Sequence, residues 1–314
     1  MYPLKFKNIY YDKPWGSNKL LKYREDAESE NIGESWEIAC HENGITTVKN
    51  GEFKGQTLID VIYKMKARLI GDKIYKENFT NKDFPLLIKL ISSGENLSVQ
   101  VHPDDEYAKL NEGDNGKIEA WYIIDCEDNA EIIVGTNNCS KDKFIESCKG
   151  KEVENYMNKI HVKPGEIYLI EPGLLHSIGK GIILLEIQQN SDITYRVYDY
   201  SRGRQLHTSK ALDVIKFELE ANSIKIDDNI SKQSCVSKNG FNIDILRVKD
   251  KIVETSDKDK FYIYTCVEGE GIIKYENDGA ICEDKISKLE SILIPAYLGD
   301  YTIEGNMVII KSYI

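Results

Sequence analysis

Residues 97–103 read Leu97-Ser98-Val99-Gln100-Val101-His102-Pro103. On a strand, where side chains alternate between faces, Ser98, Gln100 and His102 share one face and Leu97, Val99 and Val101 the other. That pattern suits a strand whose polar face lines the interior of a β-barrel or sandwich. Read by periodicity alone, it suits a strand with one face in solvent equally well. Pro103 has no N–H to give to a ladder, so the strand ends there.

Working outward, short segments rich in Val, Ile, Tyr and Leu recur at 120–124, 130–134, 166–170, 181–188, 261–267, 271–275, 291–294 and 307–312, bounded by Gly or Asp/Asn. Regular spacing of this kind predicts a mainly β chain built as a barrel or sandwich. Helical patterns are few. Leu58, Val61, Ile62, Met65, Leu69 and Ile70 recur at helical spacing and predict a helix over 57–74. Shorter helices are expected over 140–147, 152–159 and 210–219. A weak repeat is also present. Residues 119–126 (EAWYIIDC) are echoed by 259–266 (DKFYIYTC), and 168–176 by 292–299, where Gly299 stands in place of His176.

The 314 residues carry 41 Lys+Arg against 52 Asp+Glu, a net charge of −11. No block of basic residues is present, so neither nucleic acid nor an anionic membrane surface is the expected partner. No apolar run approaches the roughly 20 residues of a membrane span. The N-terminal MYPLKFK lacks the apolar segment of a signal peptide, so a cytoplasmic, soluble protein is expected. Seven cysteines (40, 126, 139, 148, 235, 266 and 282) form no C-x-x-C pair and read as reduced thiols. Only five histidines occur, at 41, 102, 161, 176 and 207. Any imidazole metal site must draw on them.

Four segments hold groups that could share one site. Gln100 and His102 project from the same strand face. Lys117 and Glu119 share a face of the next β segment, although such a doublet is also what a surface ion pair looks like. Pro172-Gly173 turns the chain ahead of His176. Glu186 and Gln188 share a strand face, and Arg196 follows an Asn/Ser/Asp turn. Its planar fork suits a phosphate, a carboxylate or a developing enediolate, whereas a lone arginine is commonly just solvated. Two His, a Glu and a Gln amide make a credible set for a divalent first-row metal, which spacing alone does not single out.

Taken together, SVQVHP (98–103), KIEAWY (117–122), PGLLHSIG (172–179) and LEIQQNSDITYRVYDY (185–200) resemble the type I mannose-6-phosphate isomerases, in particular the short bacterial form. KPWG (13–16), GESWE (33–37) and RQLHTSKAL (204–212) match the same family. The resemblance is close over about 1–220 and loose beyond, and a large helical insert of longer members is missing before residue 172.

The resemblance implies two cupin, jelly-roll-like β-barrels. The first would be a catalytic domain over 1–220 with helical insertions. The second would be a degenerate β domain over 235–314 that contains no histidine. It further implies one zinc ion per chain, held by residues matching His102, Glu119 and His176, with Gln100 the less regular fourth ligand. Arg196 matches the family's active-site arginine and Lys117 a lysine assigned to proton transfer, with Glu186 a rival acid–base group. The implied reaction interconverts mannose 6-phosphate and fructose 6-phosphate through a cis-enediol. Lys89, Arg202, Arg204 and Lys210 are the candidate phosphate cations, and a monomer or weak homodimer is expected. Other cupins bear on the reading too: an Fe(II) oxygenase or a non-catalytic sugar-phosphate-binding cupin fits the same metal set.

Overall fold

The computed structural model describes residues 1–24, 26–137, 139–150 and 152–314. The chain is mainly β and divides into two compact units. Unit 1 comprises residues 1–9, 36–88 and 225–314, and unit 2 comprises residues 10–35 and 89–224. A single cut between 220 and 235 does not separate them. The reason is strand pairing: Leu4–Lys7 is an antiparallel neighbour of Ser291–Ile294, with Leu4 opposite Leu293, so the N-terminus is built into the C-terminal sheet. That nine-stranded sheet is dominated by the long strands Tyr262–Asn277 and Asp300–Tyr313. The two β segments expected at 261–267 and 271–275 are one continuous strand.

Unit 2 holds a five-stranded sheet in the order Met157–His161, Glu131–Thr136, His176–Ile178, Val99–Val101, Tyr195–Tyr198. It also contains Ile167–Ile170, Glu119–Cys126 and Ile182–Gln189, consecutive strands of a six-stranded sheet. Among the described residues neither sheet closes on itself, so the architecture is that of open cupin-type sheets rather than sealed barrels.

Strand alternation explains where the site lies. Ile132, Val134 and Ile178 of the five-stranded sheet pack with Trp121, Ile123, Ile170 and Leu184 of the other, forming one apolar core between the sheets. The opposite face of the five-stranded sheet carries Val99, Val101, Ile133 and Tyr195, covered by Phe144 and Ala211 from two flanking helices. With Val99 and Val101 facing the helices, Gln100 faces the space between the sheets. The apolar core gives way to polar groups there.

The helices follow the expected places with altered ends. The 57–74 stretch is Leu58–Met65 and Ala67–Ile70, broken at Lys66, whose φ of 53° is left-handed. Thr57 caps the first with a reciprocal box to Asp60. Lys141–Gly150 and Thr208–Val214 are helical, the latter ending early where Ile215 turns extended. The helix expected over 152–159 is only a 3₁₀ turn at Val153–Tyr156, because Met157–His161 pairs with Glu131–Thr136 and ladder pairing overrides a short local preference. The repeat survives as topology: Ile167–Ile170 pairs with Glu119–Cys126, and Ser291–Ile294 with Tyr262–Asn277. Cys40, Cys126, Cys139, Cys235, Cys266 and Cys282 are free thiols, and Cys148 lies outside the described side chains. No helix among the described residues is long and apolar enough to cross a membrane.

Candidate active site

Sheet register sets the site. Arg196 lies opposite Gln100, Gln100 opposite His176, and His176 opposite Val134, so one row across the five-stranded sheet carries Arg196, Gln100 and His176 on its inner face. From the facing sheet, Glu119 lies opposite Gln188 and Ile170, and the next inward row holds Glu186, Trp121 and Tyr168. His102 stands one step past the Val99–Val101 strand, where its carbonyl accepts from Gly173 N–H at 2.9 Å. That contact ties the His102 end to the Pro172-Gly173 turn. Gly173 has φ of 93°, a conformation natural to glycine, and the turn delivers His176 to the site.

His102, Glu119 and His176 are buried, and their ligand atoms all lie within 4.8 Å of one another. Each imidazole points its Nδ1 at a carbonyl: His102 at Ile193 O (2.7 Å), His176 at Leu174 O (2.9 Å). A carbonyl only accepts, so each Nδ1 carries the proton and each Nε2 presents a lone pair. Both lone pairs face Glu119, His102 Nε2 lying 3.5 Å from Oε2 and His176 Nε2 3.5 Å from Oε1. Four acceptor atoms thus converge with no proton between them. His102 Nε2 and Glu119 Oε1 accept no hydrogen bond among the described residues, and Glu119 Oε2 has the Lys117 ammonium 3.0 Å away. Such a cluster is costly unless a cation sits within it. The spacing fits one, since two bonds of 2.0–2.1 Å at a tetrahedral angle separate ligand atoms by about 3.3 Å. Gln100 is beside it, its amide nitrogen 3.4 Å from His176 Nε2. Amide N and O are interchangeable by a flip, so Gln100 could equally present its oxygen.

Burial drives the His176 pKa down to about 4. His102 is lowered well below the usual imidazole range, first by burial, then by the charges of Lys117 and His176. Unfolded imidazoles titrate near 6.5. Between that value and the folded one the unfolded chain binds more protons, so stability conferred by neutral His is present above about pH 6.5 and lost as pH falls. For the chelated, metal-free protein, His176 alone predicts a loss of about 2 kcal/mol between pH 7 and pH 5. Glu186, its carboxyl raised by burial and by Glu119, acts in the opposite direction. Urea midpoints of wild type and His176→Gln over that range isolate the imidazole; equal slopes would contradict the assignment.

Beside the His102–Glu119–His176 cluster, a cavity of about 290 Å³ is lined by Gln100, by Lys13, Lys89, Lys117, Arg196 and Arg204 and by the acids Glu34, Glu186 and Asp192. Lys117 Nζ lies 3.0 Å from Glu119 Oε2. Glu186 Oε2 accepts from Trp121 Nε1 (3.1 Å), and its Oε1 lies 3.4 Å from the buried Lys89 ammonium. Burial disfavours that charge, but Glu186 and Glu34 outweigh it and hold the Lys89 pKa above its usual value.

Residues 4–133 match the family model of the phosphomannose isomerase type I catalytic domain, and 231–314 that of the mannose-6-phosphate isomerase cupin domain. The mannose-6-phosphate isomerase ManA of Bacillus subtilis (strain 168) is 41% identical over 221 residues, 68% of each chain. That of Streptococcus mutans serotype c (strain ATCC 700610 / UA159) is 40% identical over 228 residues, 70% of each chain. The crystal structure of the mannose 6-phosphate isomerase from Bacillus subtilis aligns with TM-score 0.87 at 34% identity, covering 100% of both chains. The chain belongs to the type I mannose-6-phosphate isomerases.

As a member of that family it is an aldose–ketose isomerase. Gln100, His102, Lys117, Glu119, His176 and Arg196 are brought together in one region, as are Glu186 and Lys89. Of the other expected phosphate cations, Arg204 lines the cavity, Arg202 is turned to Asp199 and Asn96, and Lys210 is bound to Glu112. The remaining histidines stand apart: His161 is exposed, and His207 accepts the Arg196 backbone N–H. Sequence reading missed the orienting carbonyls of Leu174 and Ile193, which no side-chain pattern reveals. It also gave no role to Lys13, Glu34 and Asp192, although Lys13 and Glu34 fall inside quoted motifs.

Proposed function

We propose that this chain interconverts mannose 6-phosphate and fructose 6-phosphate, using one zinc ion held by His102, Glu119 and His176 with Gln100 beside them. The observation that carries the metal is the convergence of four buried acceptor atoms without a proton among them. A divalent ion there supplies Lewis-acid polarisation of a sugar oxygen. The chain's own groups account for the rest. Isomerisation takes a proton from C2 of the aldose and protonates O1; the resulting cis-enediol then gives up the O2 proton and receives one at C1. Glu186 faces the cavity with its pKa raised by burial and by the Glu119 charge, which makes its carboxylate a stronger base for taking up and returning a carbon-bound proton. Lys117 brings a donor to the oxygens over which negative charge spreads. Arg196 lines the same cavity with a permanent charge. Trp121 and Lys89 fix the two Glu186 oxygens and so aim it.

The test is a coupled assay for fructose 6-phosphate formed from mannose 6-phosphate, run before chelation, after it, and after adding zinc back. Turnover should fall at least about 100-fold on chelation and return with zinc. Chelator-insensitive turnover would remove the metal from the scheme, and no turnover in the loaded protein would remove the reaction.

A further inference from the structure

The strand Ile182–Gln189 carries, near its end, a buried amide to which the reaction gives no role. Gln188 is fully buried and lies opposite Glu119 across the sheet. Its amide nitrogen donates to Ser191 O at 2.6 Å and to Gln189 O at 2.9 Å. The two ends of this amide are not interchangeable, because an oxygen in that place would face two carbonyl oxygens. Its Oε1 has no donor among the described residues. An apolar side chain would fill the same space without leaving a buried acceptor unpaired, so packing alone does not account for the amide. What the amide does is hold two carbonyls of the turn that follows the strand.

That turn is fastened on its other side as well. Gln189 N–H donates to Ile118 O at 3.0 Å, and Gln189 Oε1 accepts from Ile118 N–H at 2.9 Å. Ser191 N–H donates to Gln189 O at 2.8 Å, and Ser191 Oγ donates to Asn115 O at 2.8 Å. The same hydroxyl oxygen accepts from Ile193 N–H at 3.4 Å. Ile193 O in turn accepts from His102 Nδ1 at 2.7 Å. A continuous run of contacts thus leads from Gln188 through Ser191 and Ile193 to His102. His176 stands outside that run, since its Nδ1 donates to Leu174 O beside the Pro172-Gly173 turn.

We infer that Gln188 and Ser191 are positioning residues that hold the Ile193 carbonyl where it keeps His102 in its Nδ1–H form, with Nε2 free for the metal. Neither residue is a metal ligand. This rests on the metal reading proposed above. A carbonyl that receives the far N–H of a ligating imidazole fixes the ring and strengthens it as a ligand, and loss of such a partner lowers metal affinity about 10- to 100-fold.

Zinc competition against a chromophoric chelator, measured on the folded full chain, tests it. Gln188→Met keeps the length of the side chain and loses the donor, and should raise the zinc Kd about 10- to 100-fold. Ser191→Ala should raise it about tenfold. Because both act through one turn, the double variant should lose about as much as the worse single variant, and additive losses would overturn the shared route. A second readout separates positioning from general loosening. In the zinc-loaded protein, solvent exchange of the His102 Nδ1 proton, followed by NMR, should quicken about tenfold in Gln188→Met while that of His176 stays unchanged. Equal quickening of both imidazole protons, or of neither, overturns the inference, as does an unchanged zinc Kd in both single variants. If Gln188→Met does not fold, the same two readouts on Ser191→Ala decide. A wild type that takes up no zinc overturns the metal reading instead, and exchange of the two imidazole protons in the metal-free chain then decides the positioning by itself.

Discussion

Replacing His102 with alanine is expected to abolish zinc retention after gel filtration and to lower isomerase turnover by at least about a thousandfold. The reason is the composition of the cluster. His102 Nε2, His176 Nε2 and the two Glu119 oxygens are all acceptors held in a buried volume, and a cation bound to all of them relieves a mutual repulsion that Lys117, beside one Glu119 oxygen, offsets only in part. Removing one imidazole leaves two strong ligands and an opening wide enough for water. The fold should persist, because His102 stands just past the Val99–Val101 strand and the apolar core between the sheets does not include it. Cys282→Ser is the matched control: Cys282 is a free thiol in the Ala280–Ser287 strand of the other unit, and that variant should keep its zinc and its rate. Zinc content by atomic absorption, measured beside turnover, decides the matter. Full metal retention by His102→Ala would mean that the cluster is not the metal site.

Much of this was legible in the chain itself, for physical reasons that differ from element to element. The alternation expected over 97–103 held only within the Val99–Val101 strand, where Val99 and Val101 pack under the helices and Gln100 faces the site; Leu97, ahead of the strand, turns instead into the core between the sheets and lines the cavity beside Ser98. Lys117 lies just ahead of the Glu119–Cys126 strand, and its side chain still meets Glu119, Nζ 3.0 Å from Oε2. The 152–159 helix failed because Met157–His161 finds a ladder partner in Glu131–Thr136, a long-range choice that no short window contains. The domain limits moved for a similar reason, Leu4–Lys7 pairing with a strand almost 290 residues later in the chain. Tautomer control was invisible because it rests on the main-chain carbonyls of Ile193 and Leu174, which carry no residue-type signature. Asp199 escaped notice because a lone Asp beside two arginines in sequence reads as surface, whereas folding buries it between them.

Glu186→Gln carries the other large effect, a fall in kcat of about 10²- to 10⁴-fold with zinc content unchanged. The substitution is close to isosteric, and a glutamine oxygen still accepts from Trp121 Nε1, so the aim of the side chain is kept. What disappears is the capacity to take up a proton. Desolvation is the first cause of the raised Glu186 pKa and the Glu119 charge the second, and together they strengthen the carboxylate as a base. Lys89 loses the Glu186 carboxylate in this variant and keeps Glu34 at 3.9 Å, so a lowered thermal midpoint should accompany the kinetic loss. Lys117→Met separates the alternatives. Lys117 Nζ lies 3.0 Å from Glu119 and lines the cavity, so its loss should weaken stabilisation of the developing oxyanion while deuterium exchange at C2 of mannose 6-phosphate in D₂O continues. In Glu186→Gln that exchange should stop together with turnover. Exchange that persists in Glu186→Gln and vanishes in Lys117→Met would transfer the proton-carrying role to Lys117 and leave Glu186 as the group that holds Lys89 in place.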